Sequence, residues 1–141
     1  MTLIQNRLEY TVKVDDNTSE NIRHTKKFVV VLPSEDQKKT ALDLGSVHGR
    51  DVGNKLQIKD VKTEKSQKFG LDVMSGALAY FECELQDEML FEEKGICLSK
   101  VVNVYVKDDS WDDKEECFNP GFKRTLHHVT GSTFCSGGEL V

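Results

Sequence analysis

Several stretches of the chain distribute their apolar residues as strands do. Between residues 8 and 14 every second position is apolar, which is the period of a strand with one buried face. Residues 28–32, FVVVL, are all apolar and predict a strand covered on both faces. A longer strand is predicted over residues 95–108. Its expected core residues are Ile96, Leu98, Val102, Val104 and Val106.

The segment 77–85, ALAYFECEL, alternates strictly enough to assign its two faces. The predicted core face holds Ala79, Phe81, Cys83 and Leu85. The predicted solvent face holds Tyr80, Glu82 and Glu84.

Two short helices are predicted between these strands. Asn17 and Thr18 are suitable N-caps for the first, and Ile22 is its apolar anchor. The second begins with the capping box of Ser34 and Gln37 and is predicted to end at Gly45. Residues 59–68 are polar and rich in lysine, and residues 108–116 are acidic, so both segments are predicted to be exposed loops.

This pattern predicts a mainly β fold with short helices, in a single domain over residues 1–141. The long strands follow one another without crossover helices, which favours an antiparallel sheet or a small barrel. With 38% apolar residues the chain can close one modest core.

Composition narrows the possible partners and the compartment. A net charge of -5 argues against a nucleic-acid partner. The longest apolar run has five residues, so we expect no membrane segment and no export signal. The cysteines form no CxxC pair, and we expect reduced thiols in a cytoplasmic protein, with Cys83 and Cys97 buried in strands.

Two segments are candidates for binding an anion. The first helix offers unpaired N–H groups at its N-terminus, with Lys13 just before it. The segment 45–55, GSVHGRDVGNK, has two interpretations. It is either a helix end followed by a polar turn, or a glycine-rich loop in which Arg50 and Lys55 donate to a ligand.

Metal sites and protein nucleophiles are not expected. His127 and His128 are adjacent in a predicted strand and therefore point to opposite faces. The acidic loop lacks the ligand spacing and central glycine of a calcium loop. No catalytic triad or pair of catalytic carboxylates is visible in the sequence.

Taken together, these segments resemble the flavin reductase-like family of FMN-binding split barrels, and within it the flavoredoxins. NTSENIRHTKKFVVVLPSED is similar to the threonine-containing helix and following strand of the family, and GSVHGRDVGNK to its G-x-x-S-G-R-D-x-D-K loop. ALAYFECEL, KVVNVYV and TLHHVTGSTFCSGGELV resemble the later strands and the closing segment. The resemblance implies a Greek-key split barrel, a homodimer, and FMN near the dimer interface.

The resemblance also implies the site. The expected cofactor-binding residues are Asn17, Thr18, His48, Gly49, Arg50 and Lys55, together with Lys13, which precedes the helix N-terminus. His48 and Asn54 replace the serine and the second aspartate of the family loop. A family histidine thought to lie near the nicotinamide or flavin aligns with EEKGI, which puts Lys94 at the predicted catalytic position. The family's N-terminal segment has no counterpart here, so the barrel is expected to be N-terminally shortened.

The resemblance therefore implies an FMN-binding, flavoredoxin-like electron-transfer protein that accepts electrons from NAD(P)H or from a donor protein. Two alternatives stay open. One is a non-enzymatic split-barrel dimer that has lost its flavin. The other is a fragment of a longer flavin reductase.

Overall fold

A computed structural model describes residues 7–11, 17–47, 51, 55–57, 61–119 and 121–138, with the side chains of 7–11 and 108 left aside. All structural statements below concern these residues. The strands are β1 (Arg7–Thr11), β2 (Lys27–Leu32), β3 (Thr63–Lys65), β4 (Asp72–Met74), β5 (Ala79–Leu85), β6 (Ile96–Val106), β7 (Trp111–Asp112), β8 (Cys117–Phe118), β9 (Leu126–Thr130) and β10 (Thr133–Ser136). The helices are α1 (Asn17–Thr25), α2 (Lys38–Ser46) and α3 (Glu88–Lys94), with short 3-10 turns at Glu35–Gln37, Lys55–Gln57 and Asp108–Ser110.

One antiparallel sheet organises the described chain. Its strand order is β1-β6-β5-β2, and every neighbouring pair is antiparallel. The pairs β3–β4, β7–β8 and β9–β10 are separate two-stranded ribbons. This confirms the prediction of an antiparallel β protein with short helices. None of the described helices has both the length and the apolar character needed to cross a membrane.

The core consists of two clusters, one on each face of the sheet. The first contains Val73, Met74, Ala77 and Tyr80, with Val29, Val31, Leu44, Val61 and Tyr105 packed against it. The second contains Ile22, Phe91 and Cys97, with Phe28 and Leu85 packed against it. The hairpin β3–β4 therefore covers one face, and α1 with α3 covers the other.

The faces of β5 and β6 correct the sequence prediction. Tyr80 and Glu82, expected in solvent, are only 2% and 0% exposed. They are buried because the segment 64–77 packs over that face of β5. In the first half of β6 the buried residues are Cys97, Ser99 and Val101 rather than the predicted set, since Cys97 packs against Phe91 of α3.

The second predicted helix forms, but its end differs from the prediction. The capping box is present, with the Ser34 N–H donating to Gln37 Oε1 at 3.1 Å. Gly45 lies inside α2, which continues to Ser46 and is followed by extended backbone at Val47. Gly45 is therefore not used as a left-handed cap.

Three short elements, β3, β7 and α3, lie where the sequence predicted a loop or no regular secondary structure. Strand β3 falls in the predicted lysine-rich loop. Its three residues are exposed and pair with β4 through the backbone, so it has no apolar period. The acidic segment contains β7 and part of the connection to β8. Helix α3 was not predicted, although Asp87 caps it by accepting from the Leu90 N–H at 2.8 Å, and Gly95 ends it at φ 66°.

The burial of the cysteines predicts an order of thiol reactivity. Cys83 and Cys97 are fully buried, and Cys135 is exposed. Burial raises the pKa of the Cys83 thiol to about 11, which keeps it protonated at neutral pH. We expect a thiol-specific disulfide reagent at pH 7.5 to modify Cys135 rapidly, and Cys83 and Cys97 only after denaturation.

The control for this prediction is Cys135→Ser, which should remove the rapid phase. Rapid modification of Cys83 in the native protein, located by mass spectrometry, would contradict the described packing of β5.

Candidate functional site

A cleft of about 470 Å³ lies between α1, β2 and β4. Its volume is in the range of small-molecule sites. The lining residues are Thr18, Asn21, Ile22, Thr25, Lys27, Phe28, Val29, Val31, Leu44, Leu56, Leu71, Asp72, Val73 and Met74.

Helix α1 supplies the polar side of the cleft. Thr18, Asn21 and Thr25 follow helical spacing and so share one face of α1. The Thr25 hydroxyl is occupied by the backbone, since it lies 2.8 Å from the Asn21 carbonyl and 2.7 Å from the Lys27 carbonyl. The side chains of Thr18 and Asn21 make no hydrogen bond to the described residues, so both can donate to or accept from a ligand.

The opposite side of the cleft is apolar. Val29 and Val31 come from β2, and Val73 and Met74 come from β4. Val73 and Met74 are also members of the first core cluster, which fixes their positions. An apolar wall facing hydrogen-bonding groups suits a flat, partly polar ligand.

Among the described residues, the rim of the cleft carries one ion pair and one lysine without a salt bridge. Asp72 is paired with Lys65 at 2.8 Å. The Lys27 ammonium forms no salt bridge with a described residue and lies 5.2 Å from the centre of the Phe69 ring. The rim at Lys27 is therefore suited to an anionic group.

The buried side chain of Tyr80 hydrogen-bonds to the end of β4, which forms one wall of the cleft. The Tyr80 hydroxyl is 2.7 Å from a Glu64 carboxylate oxygen and 3.0 Å from the Met74 carbonyl, and it accepts from the Ala77 N–H at 3.0 Å. Burial, followed by the bond to Glu64, raises the pKa of Tyr80 above its ordinary value. Tyr80 is therefore a neutral hydrogen-bonding group across the physiological range.

The structure brings together part of the predicted site. Thr18 lines the cleft directly. The Lys55 ammonium donates to the carbonyl of Leu44 at 3.4 Å, and Leu44 and the neighbouring Leu56 both line the cleft. Asn17 is the first residue of α1 and is half-buried, but it does not line the cleft.

The other predicted residues are separate from this cleft or outside the described chain. Lys94 is the exposed last residue of α3 and is not among the lining residues. Lys13, His48, Gly49 and Arg50 lie outside the described residues, and their role stays a prediction.

Sequence reasoning missed Asn21, Lys27 and Asp72 as cleft residues. Asn21 could have been found, because it stands three residues after Thr18 on the same helix. Lys27 and Asp72 come together only through the placement of β4 beside β2, for which the sequence carries no local signal.

A second cleft, of about 520 Å³, lies between α2 and the hairpin β9–β10. Its walls are mainly apolar, and small residues of α2, including Gly45 and Ser46, line it. The His128 and Phe134 rings pack at 4.9 Å, and His128 Nε2 is already bonded to the Gly131 carbonyl at 3.0 Å. No three metal-ligating side chains of the described chain converge anywhere.

Comparison with known proteins identifies relatives of the whole described fold. Residues 10–128 match the flavin reductase like domain. The uncharacterized protein YddH of Escherichia coli (strain K12) is 29% identical over 126 residues, which cover 88% of this chain and 66% of that protein. The chain thus spans slightly less than two thirds of that relative.

Solved structures share the fold at low identity. The FMN-binding domain of a flavin reductases-like enzyme from Shewanella baltica OS155 has a TM-score of 0.79 at 23% identity, over 96% of this chain and 72% of that one. The flavoredoxin of Desulfovibrio vulgaris (Miyazaki F) has a TM-score of 0.80 at 12% identity, with the same coverages. These likenesses confirm the predicted split-barrel fold class.

The support of the cleft by Tyr80 leads to a stability prediction. We expect Tyr80→Phe to lower the free energy of unfolding by about 1–3 kcal/mol, because it leaves the buried Ala77 N–H without an acceptor. Urea denaturation followed by circular dichroism measures the change.

Tyr105→Phe is the matched control. The two rings stack at 4.7 Å, but the buried Tyr105 hydroxyl has no well-formed hydrogen bond in the described part of the chain. Its loss should therefore cost less than that of the Tyr80 hydroxyl. Equal losses in the two variants would show that the hydrogen bonds of Tyr80 contribute nothing specific.

Proposed function

We propose, because the chain belongs to the flavin reductase like domain family, that it binds FMN in the cleft between α1, β2 and β4. The observation that carries the proposal is the composition of that cleft. An apolar wall from β2 and β4 faces the polar side chains of Thr18 and Asn21, with the Lys27 cation at the rim. A flavin presents the matching chemistry, since its ring is flat, its edge is polar and its phosphate is anionic.

Different residues of the cleft would contact the flavin ring and its polar edge. Val29, Val31 and Met74 would contact the ring and exclude water, while Thr18 and Asn21 would hydrogen-bond to polar atoms of the cofactor. Lys27 would supply positive charge close to an anionic group. FMN, when bound, provides the electron-accepting chemistry, and the chain provides orientation and charge.

The segment 45–55 contributes cations to the same neighbourhood under this proposal. Lys55 already lies against Leu44, a residue of the cleft. The resemblance assigns Arg50 and the backbone of His48 and Gly49 to the same loop. These groups, together with Lys13 and Asn17, would complete the contacts to the phosphate side of the cofactor.

Loading the protein with FMN tests the proposal. The purified chain is incubated with FMN, desalted and examined by visible absorption, and the dissociation constant is measured from the change in flavin fluorescence. We expect retained flavin. A colourless protein without a fluorescence change would refute flavin binding and favour the alternative of a split-barrel binding protein.

Side-chain variants test the position of the cofactor. Thr18→Ala and Asn21→Ala should each raise the dissociation constant for FMN by up to about tenfold, the effect of losing one hydrogen bond. Thr133→Ala, an exposed threonine on β10, is the control and should leave the affinity unchanged. Normal affinity in both α1 variants would place the flavin elsewhere.

We also propose electron transfer from NAD(P)H or from a donor protein, with Lys94 as the catalytic position that the resemblance implies. A lysine there replaces a histidine that can donate a hydrogen bond while neutral, so NAD(P)H oxidation should be slow. Lys94→His should raise the rate of flavin bleaching by NADH about tenfold.

Stopped-flow absorbance at the flavin band measures this rate. Because Lys94 does not line the described cleft, an unchanged rate in Lys94→His would remove it from the site. Lys100→His, at an exposed lysine on β6, is the control for a general effect of the substitution.

We further propose that the protein is a homodimer, as the resemblance implies. The outer position of β1 in the described sheet supports association, since the edge of an outer strand offers backbone groups with which a second chain can pair. Size-exclusion chromatography with light scattering distinguishes a dimer of about twice 16.0 kDa from a monomer.

A further inference from the structure

We propose that Glu82 is a positioning residue for the cleft: its buried carboxylate holds the turn 66–71, which carries the β4 wall, and thereby sets the affinity for the ligand. This inference rests on the proposed binding of FMN in that cleft. Neither the resemblance to the family nor the comparisons assign a role to Glu82.

The carboxylate of Glu82 is anchored to the turn through backbone groups. The Lys68 N–H lies 3.0 Å from both carboxylate oxygens, and the Phe69 N–H donates to Oε1 at 2.8 Å. The amide of Asn103, on β6, donates to Oε2 at 2.7 Å, and the Ser66 hydroxyl is a further donor. Glu82, on the inner strand β5, thus fixes the turn 66–71 against one face of the sheet.

Because Glu82 is fully buried, its carboxylate needs these donors to remain charged. A buried carboxylate is costly unless it is well hydrogen-bonded. Burial alone would raise the pKa of Glu82, but the bonds from Asn103, Phe69, Ser66 and Lys68 outweigh it and lower the pKa below its ordinary value. The charged form is therefore the one that matches this turn.

The turn leads directly into the cleft. The Ser66 N–H donates to the Leu71 carbonyl at 2.8 Å, and the Leu71 N–H donates to Ser66 Oγ at 3.1 Å, which closes the turn. Leu71 and the following residues of β4 line the cleft. The Phe69 ring of the same turn lies beneath the Lys27 ammonium at the rim.

Loss of the Glu82 carboxylate should therefore loosen one wall of the cleft without removing any group that touches the ligand. Glu82→Gln keeps the size of the side chain but replaces one acceptor oxygen with a donor amide. That amide would face N–H groups that are themselves donors. The turn then loses one of the two acceptor oxygens that anchor it, and the preorganisation of the cleft falls.

The experiment measures the turn and the ligand separately in the full-length chain. Hydrogen–deuterium exchange without ligand should show faster exchange of residues 66–71 in Glu82→Gln than in wild type. Titration with FMN, at a temperature where circular dichroism shows both proteins folded, should give a dissociation constant about tenfold higher in the variant.

Two further variants separate positioning from general stability. Cys83→Ala alters the next residue, which is buried on the other face of β5, and should lower stability without changing the affinity for FMN. Asn103→Ala removes a single donor to Glu82 and should weaken binding in the same direction by a smaller factor. It also keeps the test available if Glu82→Gln does not fold.

The outcomes distinguish this inference from the proposed function. If wild type does not bind FMN, the proposed function fails, and the inference about affinity fails with it. If wild type binds FMN but Glu82→Gln and Asn103→Ala bind it equally well, only the inference is overturned. Equal weakening in Cys83→Ala would also overturn it, because the effect would then follow stability alone.

Discussion

The burial of both faces of β5 is the constraint on which the rest of the described fold depends. This strand pairs with β2 and β6, and residues on its two faces, including Ala79 and Cys83 on one and Tyr80 and Glu82 on the other, are almost fully buried. A polar side chain can remain at such a position only if the covering segment supplies hydrogen bonds. The segment 64–77 does so, with Glu64 and the backbone of residues 68, 69 and 77 as partners.

That constraint connects the core to the candidate site. Apart from the Asn103 amide of β6, the polar groups that bond to Tyr80 and Glu82 belong to the segment that includes β4, and β4 forms one wall of the cleft. On the other side of the sheet, α1 is held by Ile22 against Phe91 and Cys97, and by Arg23, whose Nε donates to the Glu92 carboxylate at 2.7 Å. The polar and the apolar sides of the cleft are thus fixed by two different core clusters.

The sequence predicted the strands and helices whose apolar residues follow a regular period. It did not predict which segments pack over those elements. Strands β2, β5 and β6 and helices α1 and α2 were predicted because apolar spacing and caps are local signals. The faces of β5 were misassigned, since alternation at Tyr80 and Glu82 cannot show that the segment 64–77 packs over them. Thr18 was named from the helix N-terminus and from the resemblance, whereas Lys27 and Asp72 line the same cleft only because β4 packs near β2.

The two ends of the segment 45–55 lie among the described residues and show what surrounds it. Gly45 is inside α2, so it is not explained as the glycine that ends a helix. Leu44 lines the first cleft, while Gly45 and Ser46 line the second, and a Cβ on Gly45 would meet no other atom within 4 Å. The segment returns at Lys55, whose ammonium binds the Leu44 carbonyl. The residues at its two described ends, Leu44 beside Gly45 and Lys55, therefore contact each other next to the cleft in which flavin binding is proposed.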